Sequence, residues 1–259
     1  MAKAKILLFD IETIPNLSEA MKVWCQLGAF PGRTMKATVT SLLCVGYKEL
    51  GSKKTYCINA WDFDSWEKDI NDDKKITKAI YEVMKNADGV ITHNGKRFDW
   101  KYLQTKFLMH GLDPLPKLPH VDTCAVARSN LFSFSNKLDY LGQYFVKDKK
   151  LENGGWDLWV KCSKRIKKYE NLMERYCKQD VDLLEKLFLK LRPLTKGLPS
   201  QFVDNESENF DIVCPKCGSA DYAPYGWRYT ATTKYRRMKC NSCKGYFRLN
   251  SNEKNPREL

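Results

Sequence analysis

Lys5-Ile6-Leu7-Leu8-Phe9-Asp10-Ile11-Glu12-Thr13 is the stretch whose reading decides the fold. Its apolar run has the length of a buried strand and is too short for a helix. Asp10 and Glu12 follow at i and i+2, which on a strand turns both carboxylates to one face. Two like charges side by side repel, so the pair costs stability unless a cation neutralises it. Pro15 ends the strand. A charged strand end facing water would read the same way, so the pair has to be weighed with what recurs further along the chain.

Two later segments supply the company. Asp88-Gly89 reads as a turn, Val90–His93 as a short strand and Asn94-Gly95 as a turn or helix entry. A helix is expected from Phe98 to about Met109, with Phe98, Tyr102, Leu103, Lys106 and Phe107 near one face. Asp99 falls in its first turn, at the mouth between strand and helix where α/β folds place ligands. Standing alone it would equally complement the helix dipole. Asn94 is a candidate contact to a substrate backbone, and His93 reads as a packed or hydrogen-bonded strand residue. Lys167–Leu191 reads as one long helix with an apolar stripe through Leu172, Tyr176, Leu183, Leu184, Leu187 and Leu191. Tyr176 and Asp180, four apart, project from one face. A carboxylate on such a stripe is costly to bury unaided, and either a bound cation or a neighbouring lysine would relieve it. Glu174 and Asp182 fall off the stripe and read as solvated.

Carboxylates gathered in a polar cleft hold hard divalent cations through oxygen. Two such cations can clamp the attacking and leaving oxygens of a phosphodiester. Hydrolysis of nucleic acid is the chemistry these segments suit, with Mg²⁺ or Mn²⁺ fitting an all-carboxylate set better than Zn²⁺.

The whole composition agrees. The 259 residues carry 44 Lys+Arg against 31 Asp+Glu, a net charge of +13 that favours a polyanionic partner. No stretch reads as a transmembrane helix or a secretory signal, so a cytoplasmic, non-secreted protein without membrane contact is expected. Of ten cysteines, Cys25, Cys44, Cys57, Cys124, Cys162 and Cys177 are scattered and read as reduced buried thiols.

The other four are not scattered. Cys214-Pro-Lys-Cys217 and Cys240-Asn-Ser-Cys243 are paired Cys-x2-Cys knuckles separated by 22 residues, a gap a hairpin spans. Together they offer four thiolates to one tetrahedral, structural Zn²⁺, and a segment this small needs such a staple to fold. Residues 212–249 hold eight Lys/Arg and one Asp. Trp227, Arg228, Tyr235, Arg236, Arg237 and Lys239 interleave aromatics with cations, which suits stacking on unpaired bases and neutralising phosphates. The bland alternative gives the aromatics to a small core; docking of another protein is the rival function.

Along the chain, 14–37 is a long excursion with a short helix candidate around Leu17–Leu27. Thr40–Tyr47 and Thr55–Trp61 read as strands completing an antiparallel meander. Lys74–Asn86 reads as a helix, Val121–Cys124 as a fifth strand, Leu138–Phe145 as a short helix and 147–165 as a basic excursion. Asp122 reads as a strand-end hydrogen-bonding residue rather than a metal ligand. The expected partition is a catalytic domain over 1–192, a linker over 193–211, a zinc ribbon over 212–249 and a disordered tail over 250–259.

The three acidic segments in order resemble the DEDD (DnaQ-like) superfamily of 3′–5′ exonucleases in its tyrosine subclass, and are similar to family B polymerase proofreading domains. The match is Asp10 and Glu12, then Asn94-x3-Phe98-Asp99, then Tyr176-x3-Asp180. Arg175 excludes the histidine subclass. The resemblance implies an α/β, RNase H-like fold: a mixed five-stranded sheet flanked by helices, beside the small β zinc ribbon. It implies that Asp10, Glu12 and Asp180 hold one metal, that Asp10 bridges to a second supported by Asp99, and that Tyr176 orients the attacking water. Asn94 and Phe98 then become substrate contacts. The activity implied is removal of 5′-mononucleotides from free 3′ ends by a two-metal mechanism, single-stranded DNA being favoured. An RNA exonuclease, a non-catalytic nucleic-acid adaptor and an endonuclease on RNA–DNA hybrids are the alternatives, and a replication or repair protein is a candidate partner.

Overall fold

The computed structural model describes residues 4–15, 40–148, 151, 155–198, 202, 213–229 and 234–248. The helix candidate at 17–27, Cys25, the greater part of the linker and the tail at 250–259 lie outside them. The chain divides into two compact units, Met1–Leu189 and Lys190–Leu259.

The first unit is built on a five-stranded sheet. Strand β1 (Ile6–Pro15) lies at its centre, flanked by β2 (Thr40–Glu49) and β4 (Gly89–Thr92), with β3 (Tyr56–Asn59) and β5 (His120–Asp122) at the edges; the order is β3-β2-β1-β4-β5. The β1, β2 and β3 strands pair antiparallel as the expected meander, whereas β4 and β5 pair parallel, so the sheet is mixed. Helices α1 (Asp64–Lys68), α2 (Lys74–Met84), α3 (Asp99–Met109), α4 (Thr123–Asn130), α5 (Leu138–Leu141), α6 (Trp156–Ser163) and α7 (Lys167–Leu191) complete this layered α/β architecture. The run Ile6–Phe9 is buried to 2 % exposure or less, as a strand covered on both faces must be.

Three sequence expectations need correction. Ala60 and Trp61 leave the third strand for a 3₁₀ turn, Ala60–Asp62. Thr123 and Cys124 do not extend β5; they open α4, because the Asp122 carboxylate accepts the Ala125 N–H and caps a helix there. Within the basic excursion, 156–163 form α6. In contrast, α7 has the bounds that its periodicity predicts.

Helix α7 packs closely on β2. A Cβ at Gly46 would lie 2.8 Å from the Cys177 carbonyl oxygen and 3.0 Å from the Val181 side chain, so only glycine permits that approach. Met173, Tyr176, Cys177, Asp180, Leu184, Leu187, Phe188 and Leu191 form its buried face. Two charged residues share that buried face: Glu170 near the helix start, which accepts the Trp66 Nε1–H at 3.2 Å, and Asp180 in its middle.

The second unit carries a three-stranded antiparallel sheet, β6 (Tyr222–Tyr229), β7 (Lys234–Cys240) and β8 (Tyr246–Arg248), with β7 central. Met238, Cys214 and Cys240 are buried in it, and Tyr222 packs edge-on against Phe247 at 5.2 Å.

Candidate active site

The antiparallel register fixes what shares a face with the first acidic pair. Asp10 stands opposite Gly46 and Gly46 opposite Cys57; Glu12 stands opposite Cys44 and Cys44 opposite Asn59. Directly paired residues project to the same side of a sheet. Asp10 and Glu12 therefore lie on the face where Cys177 of α7 fills the space over Gly46. This brings Asp180 to them: one carboxylate oxygen from each of Asp10, Glu12 and Asp180 lies within 4.8 Å of the other two. Asp180 is fully buried and the other two are half-buried.

Asp99, 5 % exposed, accepts the Ile11 N–H at 3.3 Å, which ties the start of α3 to the peptide between Asp10 and Glu12. The four acidic side chains thus belong to one neighbourhood, contributed by β1, α3 and α7. Tyr176 sits one turn before Asp180, 7 % exposed, with its ring edge-on to Trp159 at 6.0 Å.

The turn that delivers Asp99 is held by Asp122. Its carboxylate accepts the Asn94 N–H at 2.9 Å and the Lys96 N–H at 3.1 Å, while Asn94 takes a left-handed φ of 66°. Asp122 is a hydrogen-bonding residue, as its strand-end position suggests. His93 is likewise held by bonds: Nε2 donates to the Asn136 carbonyl at 2.8 Å, and Nδ1 lies 2.8 Å from Thr123 Oγ1. Phe98, 39 % exposed, lies against Tyr102 with ring centroids 5.7 Å apart. Asp182 is not merely solvated, since it bonds Lys48 Nζ at 3.0 Å.

A cleft of about 590 Å³ opens beside Asp10 and is lined also by His93, Asn94, Cys124, Arg128, Asn136, Lys137, Leu138 and Asp139. Its volume lies in the range of small-ligand sites, and Arg128 and Lys137 bring positive charge to it. In the loop between α4 and α5, Phe132 and Phe134 stand fully in solvent, and just beyond it the ring of Tyr140 lies tilted against that of Tyr144 at 4.5 Å. Sequence reasoning missed Arg128, Lys137, Phe132 and Phe134. The alternation Phe132-Ser133-Phe134-Ser135 is a weak signal, because a phenylalanine in solvent and one in a core look alike in sequence.

A metal fits the acidic site on its donor set. Three carboxylates within 4.8 Å repel one another by roughly 3.5 kcal/mol per pair at an effective dielectric of 20. A divalent cation converts that repulsion into attraction, and hard oxygens are the donors Mg²⁺ and Mn²⁺ take.

In the second unit the Sγ atoms of Cys214, Cys217, Cys240 and Cys243 all lie within 4.8 Å of one another. Cys214 and Cys243 are 3.8 Å apart, Cys217 and Cys240 3.5 Å. Thiolates bound tetrahedrally at 2.3 Å sit about 3.8 Å apart, whereas disulfide sulfurs sit about 2.05 Å apart. The arrangement fits one zinc ion and excludes two disulfides. The Gly245 N–H points at Cys243 Sγ at 3.4 Å.

Outside that cluster, Tyr225, Trp227 and Tyr246 are 40–46 % exposed, so the small core does not absorb them. Arg236 lies over Trp227 at 4.9 Å, Arg237 over Tyr225 at 5.1 Å, Lys239 over Tyr225 at 5.5 Å and Arg248 over Tyr235 at 4.5 Å. Arg228 lies on β6 opposite Tyr235.

Among known proteins, the model of the RNase H superfamily matches residues 48–192, more than half the chain. That range contains Asp99, Tyr176 and Asp180 and leaves Asp10 and Glu12 outside. The solved structure of the family B DNA polymerase from the hyperthermophilic archaeon Pyrobaculum calidifontis is similar, with a TM-score of 0.54 and 17 % identity over 74 % of this chain. The match spans 25 % of the polymerase, and at that identity it shows the fold alone. No curated protein matches the sequence. Among the described residues, no helix is long and apolar enough to cross a membrane.

Proposed function

Because the chain belongs to the RNase H superfamily, we propose that it is a metal-dependent nuclease, and more narrowly a 3′–5′ exonuclease that takes single-stranded ends, DNA in preference to RNA. The observation that carries this reading is the convergence of Asp10, Glu12 and Asp180 within 4.8 Å, with Asp99 bonded to the peptide between the first two. Asp10, Glu12 and Asp180 would hold one divalent cation, and Asp10 with Asp99 a second. Bound there, such ions supply a water of lowered pKa and neutralise charge on the leaving oxygen.

The protein's own groups do the rest. Tyr176, with an unperturbed pKa near ~10, is a poor base; its hydroxyl orients the attacking water by a hydrogen bond. Asn94 and Phe98 flank the turn that presents Asp99 and would meet the terminal nucleotide. Arg128 and Lys137 attract the phosphate backbone into the cleft, and Phe132 and Phe134 offer rings on which bases stack. The second unit, stapled by zinc at its four cysteines, would bind the same nucleic acid through its exposed cation–aromatic pairs. A role in replication or repair follows only from the likeness to a polymerase and is part of the proposal.

The test is hydrolysis of 5′-labelled single-stranded DNA and RNA in Mg²⁺ or Mn²⁺, beside a covalently closed circle of the same sequence. A ladder shortening from the 3′ side with the circle intact is expected. Cutting of the circle would replace the exonuclease reading with an endonuclease one, and no cleavage of any substrate would leave a binding protein.

A further inference from the structure

A second thiol cluster lies in the first unit. The Sγ atoms of Cys44 on β2, Cys57 on β3 and Cys177 on α7 all lie within 4.8 Å of one another. The three are free cysteines; Cys44 and Cys177 are fully buried and Cys57 is half-buried. The sheet register explains the meeting. Cys44 and Cys57 sit on one face of adjacent strands, and Gly46, which pairs with Cys57, leaves the space into which Cys177 descends.

The surroundings are those of a ligand set. The Gly46 N–H points at Cys177 Sγ at 3.0 Å. The same kind of contact is made by Gly245 to Cys243 in the ribbon, and a donor aimed at sulfur favours its charged form. The Asn59 side chain, 3 % exposed, is oriented by its own bonds: Nδ2 donates to Asp62 Oδ2 at 3.1 Å, which turns Oδ1 to within 3.1 Å of Cys57 Sγ. Three sulfurs converge from β2, β3 and α7, and the Asn59 side-chain oxygen lies beside one of them.

We propose that Cys44, Cys57 and Cys177 bind a thiophilic divalent cation of the zinc type, with Asn59 Oδ1 as the fourth ligand. Thiolates select such a metal over Mg²⁺ or Mn²⁺, and four-coordination is what structural zinc takes. Each thiol that ligates gives its proton to solvent, so metal uptake releases protons. The ion pins α7 to β2 and β3 beside the carboxylates, since Cys177 follows Tyr176 and its Sγ lies 3.8 Å from the Asp10 carbonyl oxygen. The site does not depend on the nuclease reading.

Titration of the metal-free full chain with Co²⁺ under reducing conditions tests it. Thiolate-bound cobalt gives charge-transfer absorbance that carboxylate-bound cobalt lacks. The wild type is expected to saturate this band at two equivalents. Cys57→Ser, Cys177→Ser and the ribbon double variant Cys214→Ser/Cys217→Ser should each saturate at one, while Cys162→Ser keeps two. Saturation of the wild type at one equivalent, abolished by the ribbon variant, would overturn the proposal. The wild type and the ribbon variant leave the core untouched, so they decide the matter even if a core substitution fails to fold.

Discussion

Asp180 stands fully buried in the middle of an apolar helical stripe, within 4.8 Å of two further carboxylates. A charge in that setting opposes folding of the metal-free chain and favours uptake of a cation. The two consequences separate experimentally. Asp180→Asn should lower the rate of DNA hydrolysis by more than about 100-fold, since ligand loss disables metal-assisted chemistry. The same variant should melt no lower than wild type in chelator, because it removes like-charge repulsion. A clear drop in its melting temperature without metal would point to an ordinary buried ion pair instead. Tyr176→Phe should slow turnover by about 10–100-fold through misaligned water while leaving Mn²⁺ affinity unchanged; a parallel loss of Mn²⁺ affinity would give the tyrosine a different role. These residues are legible in the sequence because the spacing is local: period two on a strand sets Asp10 beside Glu12, and four residues on a helix set Tyr176 beside Asp180. That Asp122 anchors the turn before Asp99 is not legible, because its partners Asn94 and Lys96 are remote in sequence and bind through backbone N–H groups that every residue has.

Helix α7 was readable end to end, since 25 residues of helical periodicity outweigh any local ambiguity. Helix α4 was not: Val121 and Thr123 are β-branched, and only the Asp122 cap decides that the chain turns helical there. A second element-scale feature hidden from sequence is the joint between β2, α2 and α3. Asp73, 2 % exposed, accepts the Leu42 N–H at 2.9 Å and pairs with buried Lys106 at 2.7 Å and with His110 at 2.6 Å. In the sequence Lys106 reads only as one member of a helix face. Removing one member of a buried pair strands the other, so Asp73→Ala should cost about 3–5 kcal/mol. Urea unfolding would read this as a lower midpoint with an unchanged slope; an unfolding free energy within about 0.5 kcal/mol of wild type would mean that Lys106 reaches water.

For the whole molecule, the net charge of +13 becomes informative once its exposed part is located. In the second unit, cations stand over aromatics that the ribbon's own core leaves in solvent. If Arg237 and Lys239 each neutralise one phosphate, Arg237→Ala/Lys239→Ala should flatten the dependence of log affinity on log salt by about 1.4 for single-stranded DNA. An unchanged slope would give that face to a protein partner. The meeting of Cys214, Cys217, Cys240 and Cys243 is legible from knuckle spacing alone, whereas Cys44, Cys57 and Cys177 have no spacing rule and meet only through sheet register and the gap above Gly46. The claim on which the rest turns is that side chains from β1, α3 and α7 gather around a pair of divalent ions. Anomalous diffraction from crystals soaked in Mn²⁺ tests it most directly. The account predicts two peaks about 3.5–4 Å apart, the first ligated by Asp10, Glu12 and Asp180 and the second by Asp10 with Asp99; a fully soaked crystal with no peak among these carboxylates would contradict it.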